Sequence, residues 1–374
     1  MCLVKLFFSL FRVWFSPYNL GCTERSCELA RRKITMKDVA DRAGVSLTTV
    51  SFIMNEKAHA AIPRATRDRV MRAVRDLEYV RNSAGRRLGS GKSHTLGFVL
   101  PSAEHIRVDA FVPQFLFSFN EVCYQNHFNL LVHAVGNPTR TDAYLDLVTA
   151  NEIDGLFIIN PREDDRQIDA LLDSGFPVIS DPGGSHPNAC GVGIDNKAAA
   201  KTAVQHLLKK GHRRVACINY GPARFLSPAA RCDGYREALE EAGIPYEESL
   251  VRWANFSHQS GLDAAVDLLK NEETPTAIFV GNDTVAIGVL AALKERGIKV
   301  PQDLALTSID DIPAARFINP SLTTVRVPAQ EFGRIAGEML IKLVYGERPQ
   351  PARVTLPTEL IVRESAGEAA PLSF

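Results

Sequence analysis

From Thr95 onward the chain alternates short apolar runs with longer segments of helical periodicity, and this alternation constrains the fold more than any other feature. The runs "TLGFVL", "NLLVHAV", "GLFIIN", "PVIS", "GVGI", "RVACIN", "AIFVG" and "LALTSI" are continuously apolar rather than alternating with polar residues. Each reads as a strand buried on both faces. Strands of that kind joined by helical crossovers form parallel sheets with helices on both sides. The order repeats in two halves, one from Leu96 and one from about Val215, without literal sequence repetition. The expected fold class is α/β: a body of two doubly wound lobes with a cleft between them, preceded by a small all-α headpiece.

The headpiece is read from "TMKDVADRAGVSLTTVSFIMN", in which Met36, Val39, Ala40, Ala43, Val45, Val50, Ile53 and Met54 suit the apolar faces of two short helices broken at Gly44. Thr35 is placed to cap the first helix, and Gly44 to supply the left-handed turn. Ser46 then caps a second helix from Leu47 to about Asn55. This is helix-turn-helix punctuation. A third helix follows Pro63, with Val70, Val74, Leu77 and Tyr79 on its apolar face. The expected organisation is an extension over 1–33, a headpiece over 34–80, a hinge helix and linker over 81–93, the two-lobed body over 94–364 and a tail over 365–374. Within the body, the first lobe takes about 94–192 and 326–352, and the second about 193–325 and 353–364.

A formal net charge of zero hides a strong asymmetry. Between Arg31 and Lys92 there are 15 Lys and Arg against 6 Asp and Glu, a net +9, whereas Ser93 to Phe374 carries 25 against 35, a net −10. A basic module on an acidic body points to a polyanion reader. The seven cysteines, at positions 2, 22, 27, 123, 190, 217 and 232, follow no metal or disulfide spacing, as expected of reduced thiols in the cytoplasm, and neither cofactor nor metal is expected. The apolar opening "MCLVKLFFSLFRVWF" is broken by Arg12 and is too short to span a membrane. It is read as a disordered or artefactual extension, with the working start near Met36; an export signal is the alternative.

Residues 89–93, "GSGKS", resemble the end of a phosphate-binding loop, but G-x-x-x-x-G-K-[ST] requires glycine where Arg86 stands. The segment also follows a helical module and precedes a strand, the reverse of what such a loop needs. "GVGIDN" lacks the third glycine of a dinucleotide fingerprint. With no G-x-S-x-G elbow, catalytic carboxylate pair or metal set, an enzyme is not expected.

The run "TMKDVADRAGVSLTTVSFIMN…TRDRVMRAVRDLEYVRNSAGRRL" resembles the headpiece and hinge of the lactose repressor family of bacterial transcription factors. The likeness continues through "DGLFII", "GHRRVACI", "RCDGYREAL", "TAIFVGNDTVAIGVL", "SIDD" and "NPSLTTVRVP". It implies a dimer with a periplasmic-binding-protein-like body that binds palindromic operator DNA, with no membrane partner and a location on the bacterial nucleoid in the cytoplasm. An exported sugar-binding protein is the competing reading, since the body alone would allow it.

The resemblance places Thr35, Lys37, Ser46, Leu47, Thr48, Thr49, Ser51, Phe52 and Asn55 at the DNA, with the second helix in the major groove. Phe52 stands where relatives commonly carry an arginine, so the usual guanine contact is not expected. Asn82 to Leu88 matches a hinge helix in the minor groove, where Arg86 and Arg87 lie against phosphates and Leu88 wedges between base pairs. Arg81 replaces the family's proline, and Gly85 its alanine. The glycine costs a helix roughly 0.5–1 kcal/mol and makes this hinge readier to melt.

For the effector, the resemblance places Arg231, Phe256, Asn282 and Asp310 in the cleft from the second lobe, and Phe111, Phe115 and Asp181 from the first. Asp311 is read as a cap for the next helix. Charged side chains on hydroxyl pairs and aromatic faces on a ring suit a sugar or sugar derivative, with a purine as the alternative. Ligand-dependent lobe closure would then change the separation of the two hinges in the dimer. The tail "RESAGEAAPLSF" has no leucine heptads, so a dimer is expected rather than a tetramer.

Overall fold

The computed structural model describes residues 34–54, 62–79, 92–100, 107–135, 144–181, 186–271 and 274–367. They fall into two compact units, divided between Gly91 and Lys92. The extension over 1–33, Asn55, the hinge residues Arg81, Asn82, Gly85, Arg86, Arg87 and Leu88, and the tail beyond 367 lie outside the described residues.

The first unit is built on α1 (Met36–Ala43), α2 (Leu47–Met54) and α3 (Arg64–Asp76). Thr35 starts α1 with a reciprocal cap: its backbone N–H donates to the Asp38 carboxylate at 2.7 Å, and the Asp38 N–H donates to Thr35 Oγ1 at 3.3 Å. Gly44 at φ 63° ends the helix, a conformation that costs a β-carbon about 1 kcal/mol or more. The Val45 N–H then closes the turn on the Ala40 carbonyl. Val39, Ala40, Ala43, Val50, Ile53, Val70, Ala73 and Tyr79 form the core, with Val45 and Met54 packed at its edge.

The second unit contains twelve strands among the described residues. β1 (Thr95–Leu100), β2 (Asn129–Ala134), β3 (Gly155–Ile159), β4 (Val178–Asp181), β5 (Cys190–Ile194) and β11 (Arg353–Leu356) make one sheet, ordered β2-β1-β3-β4-β5-β11 and parallel throughout. β6 (Val215–Asn219), β7 (Val251–Trp253), β8 (Ala277–Val280), β9 (Ala305–Asp310), β10 (Thr323–Arg326) and β12 (Glu359–Ile361) make the other, ordered β7-β6-β8-β9-β10-β12, with only β12 antiparallel. The helices are α4 (Phe111–Gln125), α5 (Leu145–Thr149), α6 (Arg166–Asp173), α7 (Asn196–Lys209), α8 (Leu226–Glu241), α9 (His258–Leu268), α10 (Asp283–Glu295) and α11 (Ala329–Val344).

The eight apolar runs all become strands, though β2, at a sheet edge, is exposed to half-buried rather than buried on both faces, and four further strands are short edge or near-edge segments that carry no long apolar run. The expected lobe boundaries need correction at the last crossover. Residues 353–356 pair with β5 in the first sheet, so the chain passes to the second lobe only after Leu356. β5 likewise extends the first lobe to Ile194. The chain therefore crosses between lobes three times, at β5–α7, β10–α11 and β11–β12.

Lys92 and Ser93, expected in the linker over 81–93, are bound to the body. Lys92 Nζ donates to the Val344 carbonyl in the last turn of α11 at 3.0 Å and lies 4.8 Å from the Tyr345 ring centre. The N–H groups of Ser93 and His94 each donate to the Asp154 carboxylate at 2.7 Å. Lys92 thus satisfies an orphan carbonyl and the negative end of the helix dipole, and it belongs to the body.

Candidate functional site

On α2 the apolar side chains divide. Val50 and Ile53 are buried, whereas Leu47 and Phe52 are 51% and 38% exposed. Ser46 accepts the Thr49 N–H at 3.1 Å, and the two hydroxyls share a 2.8 Å hydrogen bond. Thr49 is therefore engaged at the helix start and half-buried like Ser51, while Thr35, Lys37, Ser46, Leu47, Thr48 and Phe52 are exposed. The structure keeps Leu47 and Phe52 out of the headpiece core. Two large apolar groups partly exposed on a small basic module mark a contact surface.

The second site lies between the lobes at the carboxyl ends of the strands, as expected of open α/β sheets. Asn160, Asp181 and Ile194 bring the ends of β3, β4 and β5 to it, and Tyr220, Asn282 and Asp310 those of β6, β8 and β9. Phe111 from α4, Phe332 from α11 and Asp109 complete much of its first-lobe wall. The cavity encloses only about 30 Å³, room for one or two waters. The lobes are also joined beside it: the Leu226 N–H donates to the Pro161 carbonyl at 3.1 Å, the Glu163 N–H to the Arg224 carbonyl at 3.0 Å, and the Tyr220 hydroxyl to Asn160 Oδ1 at 3.0 Å. Admitting a ring-sized ligand requires these contacts to part.

Arg231 organises the second-lobe wall. Gly234, one turn along α8, lets that helix press onto α7, since a β-carbon there would meet the Lys197 carbonyl oxygen at 2.1 Å. At that spacing Arg231 Nε donates to Asn196 Oδ1 at 2.8 Å, and Nη1 donates to the Gly281 carbonyl at 2.5 Å. Nη1 also lies 3.7 Å from the Asp310 carboxylate, and the guanidinium sits 4.6 Å from the Tyr220 ring centre. Asn282 lines the cavity while its Oδ1 caps α10 by accepting the Val285 N–H at 2.9 Å. Asp310 is held at φ 127°, a backbone that costs a non-glycine residue about 1–3 kcal/mol and recurs at functional sites.

Three expectations fail here. Phe115 is fully buried and packs against Phe98, Phe119, Phe157 and Phe332; it lies one turn below Phe111, in the first-lobe core. Phe256 packs edge-on to Tyr220 and Phe225 and is absent from the cavity lining, so it supports the wall from behind. Asp311 caps no helix: its carboxylate accepts from Arg326 at 2.7 Å and Arg363 at 2.6 Å. Buried Asp283 takes that place by accepting the Ile312 N–H at 2.9 Å. The sequence reading missed Asp109, Asn160, Asn196 and Tyr220, all lining residues. Asn160, Asn196 and Tyr220 follow directly on the strand runs or within two residues of them, and that position was the available signal.

Burial pushes the Asp181 carboxyl from its ordinary 3.8 to about 7, with Arg231 pulling the other way. Burial likewise raises Asp109 to about 6, against backbone hydrogen bonds from Phe111 and Val112 and the charge of Arg231. Asp310 is raised too, by burial first, with Arg231 opposing. A carboxyl raised on folding stabilises the native state fully below its unfolded pKa and loses that contribution as pH climbs through the folded value. For Asp181 the loss runs from about pH 4 to about pH 7. Asp181→Asn should therefore raise Tm by a few degrees at about pH 7.5 and leave it little changed at about pH 4. An equal Tm change at both pH values would contradict this account.

Comparison with known proteins finds relatives of both units of the chain. Residues 35–82 match the model of the bacterial regulatory proteins of the lacI family, and residues 204–366 match a periplasmic binding protein-like domain. The chain is 30% identical over 338 residues to the HTH-type transcriptional repressor PurR of Klebsiella pneumoniae (strain 342), covering 89% of this chain and 97% of that relative. It is 30% identical over 342 residues to the HTH-type transcriptional regulator CelR of Thermobifida fusca, covering 90% and 99%. Among solved structures, a Lac repressor dimer bound to operator and the anti-inducer ONPF aligns with TM-score 0.77 at 25% identity, over 90% of this chain and 99% of that one. A transcriptional regulator CelR–cellobiose complex aligns with TM-score 0.68 at 28% identity, over 89% and 99%.

A helix-turn-helix unit on a two-lobed binding body defines a ligand-responsive transcriptional regulator. The chain belongs to the lacI family of bacterial regulatory proteins, which decides against the exported sugar-binding protein. Its relatives are transcription regulators rather than enzymes. Among the described residues no helix is long and apolar enough to cross a membrane.

Proposed function

We propose that this protein is a cytoplasmic, nucleoid-associated repressor that binds a two-fold symmetric operator as a homodimer and changes its operator affinity when a sugar-like effector occupies the cleft. The observation that carries the reading is the exposed face of α2. Leu47 and Phe52 are spared from the core and Thr48 lies between them, as direct readout of base edges and thymine methyl groups needs. Lys37, Thr35, Ser46, Thr49 and Ser51 supply phosphate contacts or hold α2 in register, and Asn55 continues the series. The hinge residues Asn82, Arg86, Arg87 and Leu88 act in the minor groove.

In the cleft, Asp181, Asp310 and Asp109 offer acceptors to hydroxyl groups, and Phe111 offers an apolar face; this chemistry favours a sugar over a purine. A ligand that binds one state of lobe closure more tightly shifts the population toward it. That shift changes the spacing of the two hinges in the dimer. The first lobe also exposes Phe117 and Tyr124, seven residues apart along α4 and 59% and 80% accessible, as a dimer contact would require.

The reading is tested by selecting binding sites for the full chain from a random duplex library. The expected outcome is an enriched palindrome whose affinity falls steeply with salt; no enrichment, or an asymmetric single site, would sink it. In the same selection Phe52→Arg should move the preferred base toward guanine at one position of each half-site. A bidentate arginine–guanine pair is worth about 1–3 kcal/mol of discrimination. An unchanged profile would show that Phe52 does not face the bases.

A further inference from the structure

The charged side chains lining the cleft cavity are three carboxylates, Asp109, Asp181 and Asp310, and one guanidinium, Arg231. Arg231 is already committed: Nε to Asn196, Nη1 to the Gly281 carbonyl and beside Asp310. Asp109 accepts the Phe111 N–H through Oδ1 at 2.8 Å. Asp181 is different. It is 93% buried, since its relative exposure is 7%, it lines the cavity, and its Oδ1 has no hydrogen-bond partner among the described residues. A buried acceptor left without a donor is costly unless a ligand supplies one.

We propose that the effector presents a protonated amine to the first-lobe wall, against Asp181 and Asp109, and is an amino sugar rather than a neutral or acidic one. This inference rests on the sugar reading above and specifies its charge. An acidic sugar would add a fourth negative group to a cavity with one positive partner. A neutral sugar supplies donors but no counter-charge, so the carboxyls facing it keep the protons that burial already favours on them. A protonated amine does both: it donates to Asp181 Oδ1 and balances the carboxylates.

A proton count follows. The groups facing these two carboxyls are Arg231 from α8, the Tyr220 phenol after β6 and Asp310 at the end of β9, with Asp283 behind Asp310. Below about pH 7 Asp181 holds a proton in the absence of ligand, and below about pH 6 Asp109 does. A cation that binds their ionised forms expels those protons to water, so its affinity falls as pH falls from about 7 to about 5. A neutral sugar is far less sensitive.

The test is calorimetric titration of the full chain with glucosamine, galactosamine and mannosamine, their neutral parent sugars, and the corresponding uronic acids. At least one amine is expected to bind about tenfold or more tighter than its neutral parent near pH 7, with proton release and weaker binding at about pH 5; the uronic acids should not bind. Asp109→Asn keeps an acceptor for the Phe111 N–H while removing the charge, and should cut the amine preference by about tenfold; Asp181→Asn should do the same. A neutral parent that binds more tightly than its amine, or an amine affinity flat with pH, overturns the charge assignment and leaves the sugar reading standing. If no compound of any charge type binds, the sugar reading falls and takes this proposal with it.

Discussion

Arg231→Ala is expected to abolish the effector response while leaving operator binding intact, and to cost the body about 3–5 kcal/mol of stability near pH 7.5. That magnitude is typical of removing one partner of a buried charge cluster. The guanidinium serves the α7–α8 contact through Asn196, the β8–α10 turn through Gly281, and the charge of Asp310. Without it, three cavity carboxylates face each other with no counter-charge. Because burial already raises all three carboxyls, they take up protons in the variant, and the stability loss should shrink toward about pH 5. Urea unfolding at the two pH values, with operator titrations beside it, checks both halves. Operator binding should survive because the headpiece is a separate compact unit. A variant with a normal ligand response would remove Arg231 from the effector's contacts.

Leu88→Ala should weaken specific operator binding by tenfold or more, about 1.4 kcal/mol or greater, while leaving binding to unrelated duplex almost unchanged. The two modes draw on different groups. Nonspecific affinity comes from cations on phosphates, and in the proposed complex Arg86, Arg87 and the headpiece lysines and arginines supply them. In the proposed complex the specific mode additionally gains from Leu88 acting as a wedge that unstacks the operator centre and bends the duplex onto more protein surface. Competition titrations against both duplexes measure the ratio. An equal loss on both would show that Leu88 is not a wedge.

The alternation of apolar runs made the sheets legible because central parallel strands are buried on both faces and are built mainly of apolar residues. The four strands that escaped, "VRW", "TTVR", "RVTL" and "ELI", are three or four residues long. They lie at or next to a sheet edge, where one face or one side is relieved of that demand. β11 was placed in the wrong lobe for the same reason: nothing local in "RVTL" specifies β5 as its partner, and the pairing is set by where the last crossover emerges.

In the cleft, Arg231, Asn282, Asp310, Asp181 and Phe111 stand in the lining, but sequence resemblance could not separate a wall residue from the residue behind it. Phe115 is four positions from Phe111 on the same helix face, and only the depth of α4 in the lobe divides them. Phe256 and Tyr220 present the same ambiguity in reverse, with the unassigned tyrosine in front. Asp109 escaped because no strand run ends at it. "GVGIDN", a failed nucleotide fingerprint, turns out to end β5 and start α7, with Asp195 accepting the Ala198 N–H at 2.9 Å and Asn196 holding Arg231.

Cleft occupancy and operator binding are proposed to be coupled in one chain. The most direct measurement is a fluorescence-anisotropy titration of the selected palindromic operator with the full chain, with and without a saturating cleft ligand, repeated for Arg231→Ala. A shift of about 5- to 150-fold in operator affinity is expected for the parent chain, the usual range of coupling free energies, and none for the variant. Identical operator affinity with and without a ligand that binds the cleft would contradict it.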